Sequence, residues 1–319
     1  MDHQRYHGLH GTAILSRYSI TNARILRLPV CYDWYGQEVS EASRLEHGRR
    51  WSAHKLFKTR IMREIRHGGR MTLIANIDVP EMPHGQVTIV APHLENKCPP
   101  ACRRKQMDAL LEALKSDANP VVMAGDLNTT SKNNTPTSVR NEIMRRVTDH
   151  KFWVGQAVSY FHPLGLFKSM LVPLRYFHGY NDPTAFHLPI FWDNKERHLF
   201  NRLEEFRFAD GLAFDFRGLP EKTSPPRGRT LADSNGRAGK GFTPTFAFTR
   251  DFSGLAGRFK LDWFFVKPFV QHPRGKGQSY WFAPHFPVTM RELNESVVDR
   301  ISDHAPMTVD LPLRDTARP

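Results

Sequence analysis

The sequence predicts a layered α/β fold, and three successive segments predict it. Met71 to Val79 (MTLIANIDV) and Gln86 to His93 (QVTIVAPH) are β-rich runs on either side of Pro80-Glu81-Met82-Pro83-His84-Gly85, so they read as neighbouring strands joined by a turn. From about Ala101 to Lys115, Met107, Leu110, Leu111 and Leu114 form an apolar stripe at i, i+3, i+4 and i+7, which reads as a helix. Pro99 and Pro100 precede it, and Asn119-Pro120 stops it. Val121-Val122-Met123-Ala124 then has no polar face, as expected of a central strand covered on both sides. Strand, helix and strand in that order imply a sheet layered against helices.

The remaining elements follow in chain order. A second helix is expected with Thr135 as its cap, Pro136 in the first turn and Val139, Ile143 and Val147 inward. Phe152 to Trp192 is aromatic, broken by Pro and Gly, and without a clear period, so it reads as a long insertion packed over the core. Its histidines, His162, His178 and His187, are expected to be packing or surface groups. Arg217 to Thr245, rich in Pro, Gly and basic residues, reads as a mobile loop. Core-strand character returns at Phe259 to Val266 (FKLDWFFV) and at Ala305 to Leu311. The expectation is one domain over residues 1–319, with insertions at about 150–200 and 217–245.

Composition narrows the function classes. The chain has 319 residues, 40% hydrophobic and 24% charged, enough to bury a large core. No uncharged apolar run is long enough to span a bilayer. Met1 to Arg5 lacks the apolar region of a signal peptide, and no compartment is assigned. Cys31, Cys98 and Cys102 are too few for a disulfide framework. Cys98 and Cys102 can pair locally or share a metal, but two free thiols in a loop is the preferred reading. The net charge of +13 and a pI near 9.9 point to an anionic partner. Arg44 to Arg70 holds nine Lys or Arg against Glu46 and Glu64, a net of +7, and such a run usually forms a solvated face.

Three polar clusters stand beside the expected strands. Asp126 and Asn128 follow the apolar strand ending at Ala124, at the rim where α/β sheets commonly place ligands. Asp262 lies inside a hydrophobic strand, on the same face as Phe264 and Val266; a buried carboxylate there requires a cation, a histidine or a metal close by. Ser302-Asp303-His304 sets a carboxylate and an imidazole side by side before the final strand. Each cluster also has a purely structural reading: a Gly/Asn turn at 125–128, an arginine pair for Asp262, a capped turn at Asp303.

Taken in order, Gly11-Thr-Ala-Ile-Leu-Ser-Arg17, His93-Leu94, Gly125-Asp126-Leu127-Asn128, Leu261-Asp262-Trp263-Phe264-Phe265-Val266 and Ser302-Asp303-His304 resemble the successive signature segments of the endonuclease/exonuclease/phosphatase superfamily. That group includes DNase I-like nucleases, abasic-site endonucleases, inositol-polyphosphate phosphatases and bacterial sphingomyelinases. The resemblance runs from about residue 11 to residue 312 and implies a four-layer sandwich of two mixed β-sheets flanked by helices. It further implies Asp303 as a metal ligand for Mg²⁺ or Mn²⁺, and His304 as the histidine that meets the scissile phosphate or activates water, oriented by Asp262. Asp126 and Asn128 would position the nucleophilic water and the phosphate, with Asp126 also touching a metal, and His93 would assist the leaving group. These residue types suit the chemistry, since phosphate-ester hydrolysis needs a deprotonated water, charge compensation and no covalent nucleophile.

The resemblance departs from the family at its start. There, the segment like Gly11 to Arg17 follows a strand carrying an Asn and a strand carrying a Gln-Glu pair whose Glu is a principal metal ligand. Here ten residues precede Gly11, with Asp2, His3, His7 and His10 but no Glu. A late start codon or a fragmentary gene is the expected cause, with an unpaired sheet edge and weakened metal binding as consequences. The expected function is metal-dependent hydrolysis of phosphate esters by a phosphodiesterase or nuclease, with nucleic acid favoured by the basic charge. The alternatives are a non-catalytic, truncated phosphate- or nucleic-acid-binding remnant and a phospholipid or inositol-phosphate phosphoesterase that contacts membrane lipid. No protein partner is implied.

Overall fold

The computed structural model describes residues 11–33, 48, 51, 69–82, 85–129, 153, 154, 157, 183, 184, 187, 188, 192–214, 235, 237, 238, 241–247, 258–267, 285–295, 302 and 304–311. The expected helix after Thr135 and the remainder of the aromatic insertion lie outside them.

The main element is a five-stranded mixed sheet. Its strands are β1 (Ile20–Arg27), β2 (Met71–Asp78), β3 (Gln86–Pro92), β4 (Val121–Asp126) and, much later in the chain, β11 (Asp262–Lys267), ordered β1-β2-β3-β4-β11. The β2–β3 turn expected from its Pro/Gly content makes an antiparallel pair, whereas β3 and β4 run parallel, joined by helix α1 (Pro100–Leu114). A parallel pair needs such a crossover, because the chain must return to the end it started from. Strand β11 then adds antiparallel to β4.

The two sheet faces carry different cores. On one, the α1 stripe Met107, Leu110, Leu111 and Leu114 is buried against Ile74, Val90, Met123, Trp263 and Phe265. Truncating such a leucine costs about 2–5 kcal/mol. Helix α2 (Arg197–Glu205) adds Leu199, Phe200 and Leu203 to this cluster, with Phe200 4.7 Å from Trp263 between ring centres. The other face buries Ile77, Val87, Val122 and Val266, against which Ile14, Tyr18, Phe264 and Leu311 pack. Asp262, two residues before Phe264, belongs to this second face by strand alternation.

Short antiparallel pairs complete the described structure: β5 (His187–Leu188) with β6 (Trp192–Asp193), β7 (Arg237–Ala238) with β8 (Gly241–Phe242), and β9 (Phe246–Ala247) with β10 (Arg258–Phe259). Strand β12 (His285–Thr289) pairs with β13 (Met307–Asp310) as a second sheet, and Glu292–Glu295 is a single helical turn, α3. Among the described residues no helix is long and apolar enough to cross a membrane.

Several expectations change. The run from Phe259 to Val266 is two strands, β10 and β11, because the N–H groups of Leu261 and Asp262 turn out of the ladder to the Thr245 hydroxyl at 3.0 and 3.1 Å. The last strand is half-exposed with an alternating pattern, an outer rather than a core strand. The described end of the segment assigned to a mobile loop is packed: Asn235, Phe242 and Thr245 are buried, and the Asn235 amide both accepts from Phe264 N and donates to Phe264 O. Strand β1, unpredicted, is an edge strand among the described residues, with exposed Ile20 and Ile25, and its weak alternation is broken by a register shift beside Asn22 at φ 47°. The thiols are also reassigned. Cys102 is bonded to Cys31, 71 residues away, and Cys98 alone is free, with burial pushing its thiol up to about 11. Sequence spacing cannot reveal that pairing, since it depends on the exit of β1 reaching the start of α1.

Candidate active site

The site forms where β4 and β11 end beside the segment leading into β13. In the β4–β11 register Asp126 stands opposite Asp262, which puts two carboxylates on neighbouring strands. The strand end carrying Asp126 is held closely. Gly125 passes so near β3 that a Cβ there would lie 2.1 Å from the Pro92 carbonyl oxygen, which is why the position needs glycine. A parallel bridge between His93 and Asp126, with Leu94 N donating to Asp126 O at 2.9 Å, extends the β3–β4 pairing into the site. Leu127 N donates to Leu261 O at 2.9 Å, locking the turn to the start of β11.

His304 comes from outside the main sheet. An antiparallel bridge to Phe246 and an edge-on contact with the Phe246 ring, 5.2 Å between centres, place its imidazole so that Nδ1 lies 2.8 Å from Asp262 Oδ2. A carboxylate only accepts, so His304 Nδ1–H donates and the ring's basic site is Nε2. This supplies the partner that the sequence required for Asp262. Donor atoms of Asp126, Asp262 and His304 all lie within 4.8 Å of one another.

The two carboxyls titrate in opposite directions. Burial pushes the Asp126 carboxyl up to about 7, and the facing Asp262 charge pushes the same way; His304, the Asn128 N–H and Arg70 oppose this without cancelling it. Burial also pushes Asp262 up, but the hydrogen bond and charge of His304, the Thr245 hydroxyl and the Lys260 charge outweigh it and hold Asp262 below the usual carboxylate value. Lys260 is buried between β10 and β11, its Nζ 5.3 Å over the Trp263 ring and 3.3 Å from Met307 Sδ. Burial pushes it down to about 7, against the pull of Asp262.

On the far side of Asp126 sits His93, its Nε2 3.5 Å from Asp126 Oδ2 and 2.9 Å from Arg70 Nη1. A guanidinium only donates, so Nε2 of His93 is an acceptor here. Arg70 also reaches Glu95 and Asn96, each at 3.3 Å. Arg70 closes the basic run whose usual form is a solvated face, and its guanidinium reaches His93 at the site. The other basic residues of the run lie outside the described residues.

Of the residues named from sequence, the structure brings together Asp126, Asp262 and His304, with His93 alongside. Asn128 lies behind them. It is buried in the left-handed region at φ 49°, its N–H donating to Asp126 Oδ1 at 2.7 Å and its amide to Leu94 O at 2.9 Å. Asp303 lies outside the described residues. Sequence reasoning missed Arg70, Thr245, Phe246 and Lys260. Only Lys260 left a signal, as a cation close to Asp262 within an apolar run.

Two carboxylates and an imidazole whose donor atoms lie this close together could hold a divalent cation, which favours such oxygen ligands.

A crystal structure of an endonuclease/exonuclease/phosphatase from Beutenbergia cavernae DSM 12333 is 17% identical, covering 94% of this chain and 47% of its own, with a TM-score of 0.35. A functionally unknown conserved protein from Enterococcus faecalis V583 is 14% identical, covering 76% and 56%, with a TM-score of 0.30. The chain thus spans about half the length of these solved structures. No curated protein matches. The profile of the Endonuclease/Exonuclease/phosphatase family matches residues 2–304, so the chain belongs to that family, and its five-stranded mixed sheet and second sheet are those of a DNase I-like α/β fold.

Proposed function

We propose that the protein hydrolyses phosphodiesters with a water activated by His304, with nucleic acid as the preferred substrate class. Family membership supports phosphate-ester hydrolysis in general. The observation that carries the finer reading is the Asp262–His304 hydrogen bond of 2.8 Å, facing the carboxyl of Asp126. With Nδ1–H committed to an ionised Asp262, His304 presents Nε2 as a base, and the imidazolium formed by taking a proton is stabilised by the carboxylate it already touches.

Asp126 holds the water or the cation opposite that base. Mg²⁺ or Mn²⁺ fits the site through Asp126 and, as the family resemblance implies, Asp303; when bound, such an ion supplies Lewis acidity toward the phosphoryl oxygens. Arg70 contributes the fixed positive charge at the His93 corner, where negative charge on a leaving oxygen would gather. The formal charge of +13 favours a polyanionic substrate over a single headgroup.

The test compares plasmid DNA, RNA, sphingomyelin and a phosphoinositide as substrates with Mg²⁺ and with Mn²⁺, for the wild-type protein and for His304→Ala. Nucleic-acid cleavage that is lost in the variant is the expected result. Hydrolysis of lipid alone refutes the nuclease preference, and equal rates in the two proteins refute the site.

A further inference from the structure

We propose that Thr245 is a positioning residue that builds the Asp262–His304 pair, a role that rests on the reading of that pair as the hydrolytic base. Its hydroxyl has one hydrogen to donate and two lone pairs to accept with. The two lone pairs are committed at the start of β11, beside one carboxylate. Oγ1 accepts from Leu261 N at 3.0 Å and from Asp262 N at 3.1 Å, and the hydroxyl is among the groups that hold the Asp262 carboxyl below its usual value.

The Thr245 backbone serves the other half of the pair. Its N–H donates to Phe259 O at 2.9 Å, which anchors it to β10, and its carbonyl accepts from Ala305 N at 2.6 Å, immediately after His304. The next residue, Phe246, makes the bridge and the edge-on ring contact with His304. One buried residue therefore fixes the strand break that sends Asp262 into the site, the orientation of its carboxyl and the height of the imidazole against it.

The geometry demands a hydroxyl. Serine keeps the hydroxyl and both hydrogen bonds that it accepts. Valine matches the shape but leaves two buried N–H groups without this acceptor and the carboxyl without this hydroxyl. A purely structural threonine would be indifferent to the state of His304, whereas a positioning one is not.

The experiment compares Thr245→Ser and Thr245→Val with the wild-type protein. The first readout is the NMR signal of the hydrogen-bonded His304 Nδ1–H, which requires no turnover; the second is kcat and KM for plasmid cleavage. Thr245→Ser is expected to keep the signal and most of kcat. Thr245→Val is expected to lose the signal, with kcat falling about 10- to 100-fold and KM unchanged, the scale on which hydrogen-bond partners behind a reacting group act. If Thr245→Val does not fold, Thr245→Cys, which keeps the volume and offers only a weak donor, takes its place with the same expectations. Retention of the Nδ1–H signal and of kcat without the hydroxyl overturns the role. If the wild-type protein cleaves no phosphate ester, the proposed function fails while the NMR comparison still decides this one.

Discussion

Asp126 and Asp262 face each other across one strand pair, yet the first is pushed up to about 7 and the second is held below the ordinary range. Depth does not separate them, since burial pushes both upward. Partners do. Asp262 gathers the His304 imidazole, the Thr245 hydroxyl and the Lys260 charge, whereas Asp126 has one backbone N–H, the more distant charges of His304 and Arg70, and the repulsion of Asp262 itself. On the proposed reading, the protein finishes one side of the site and a ligand completes the other. A hydrolytic centre needs both: a charged, oriented base, and a carboxyl ready for a cation or a water.

The largest expected effect breaks the finished side. Asp262→Asn keeps the size but removes the charge, and its amide N–H2, turned toward His304, makes Nδ1 an acceptor and moves the ring proton to Nε2, where the base should be. The variant is expected to lose about 10⁴-fold in kcat, the scale on which a histidine loses its orienting carboxylate, with the fold intact by circular dichroism. Activity within tenfold of wild type would show that His304 does not depend on Asp262.

The next effect separates the two carboxyls by pH. Asp126 has a folded pKa raised from 3.8 to about 7, so it holds more proton folded than unfolded between those values. Its stabilising contribution is therefore complete below about pH 4 and is lost as the pH rises through 7. Asp126→Asn keeps the Oδ1 that accepts from Asn128 N and removes that loss. Its melting temperature relative to wild type is expected to climb between pH 4 and 7, while kcat falls by about 100-fold or more. Mn²⁺ at pH 7 is expected to raise the wild-type melting temperature but not that of Asp126→Asn. Parallel pH curves and equal Mn²⁺ responses would place the under-compensated charge elsewhere.

How much of this was legible in the sequence follows the same division. The Asp126 side is built from β2, β3, α1 and β4, contiguous elements with strong periodicity, and their limits fell within a residue or two of expectation. Asp262 announced itself as a charge in an apolar strand. The groups that complete it did not. Thr245 and Phe246 act through two-residue pairings at the end of a Pro/Gly-rich stretch, where no period exists to read, and Arg70 was indistinguishable from the charge run that precedes it. The Cys31–Cys102 bond was hidden for the same reason: contacts between distant segments leave no local pattern. The order of the family segments pointed to candidate site residues as a set; the structure shows that Asp126, Asp262 and His304 meet.

The smaller effects test whether the strand end at Asp126 is scaffold or chemistry. Gly125→Ala would force a Cβ against the Pro92 carbonyl oxygen, and backbone must move to relieve it. A loss of about 1–3 kcal/mol is expected in chemical denaturation, as for overpacking elsewhere, with kcat falling because His93 and Asp126 separate. Asn128 gives the finest discrimination. Asn128→Gly keeps the left-handed backbone at φ 49° free of strain and deletes only the amide that holds Leu94 O. If that amide is scaffold, stability falls by about 1 kcal/mol and kcat by less than tenfold. A far larger drop in kcat with stability unchanged would mean that the amide turns from Leu94 to the phosphate when substrate binds, so that Asn128 belongs to the reacting side after all.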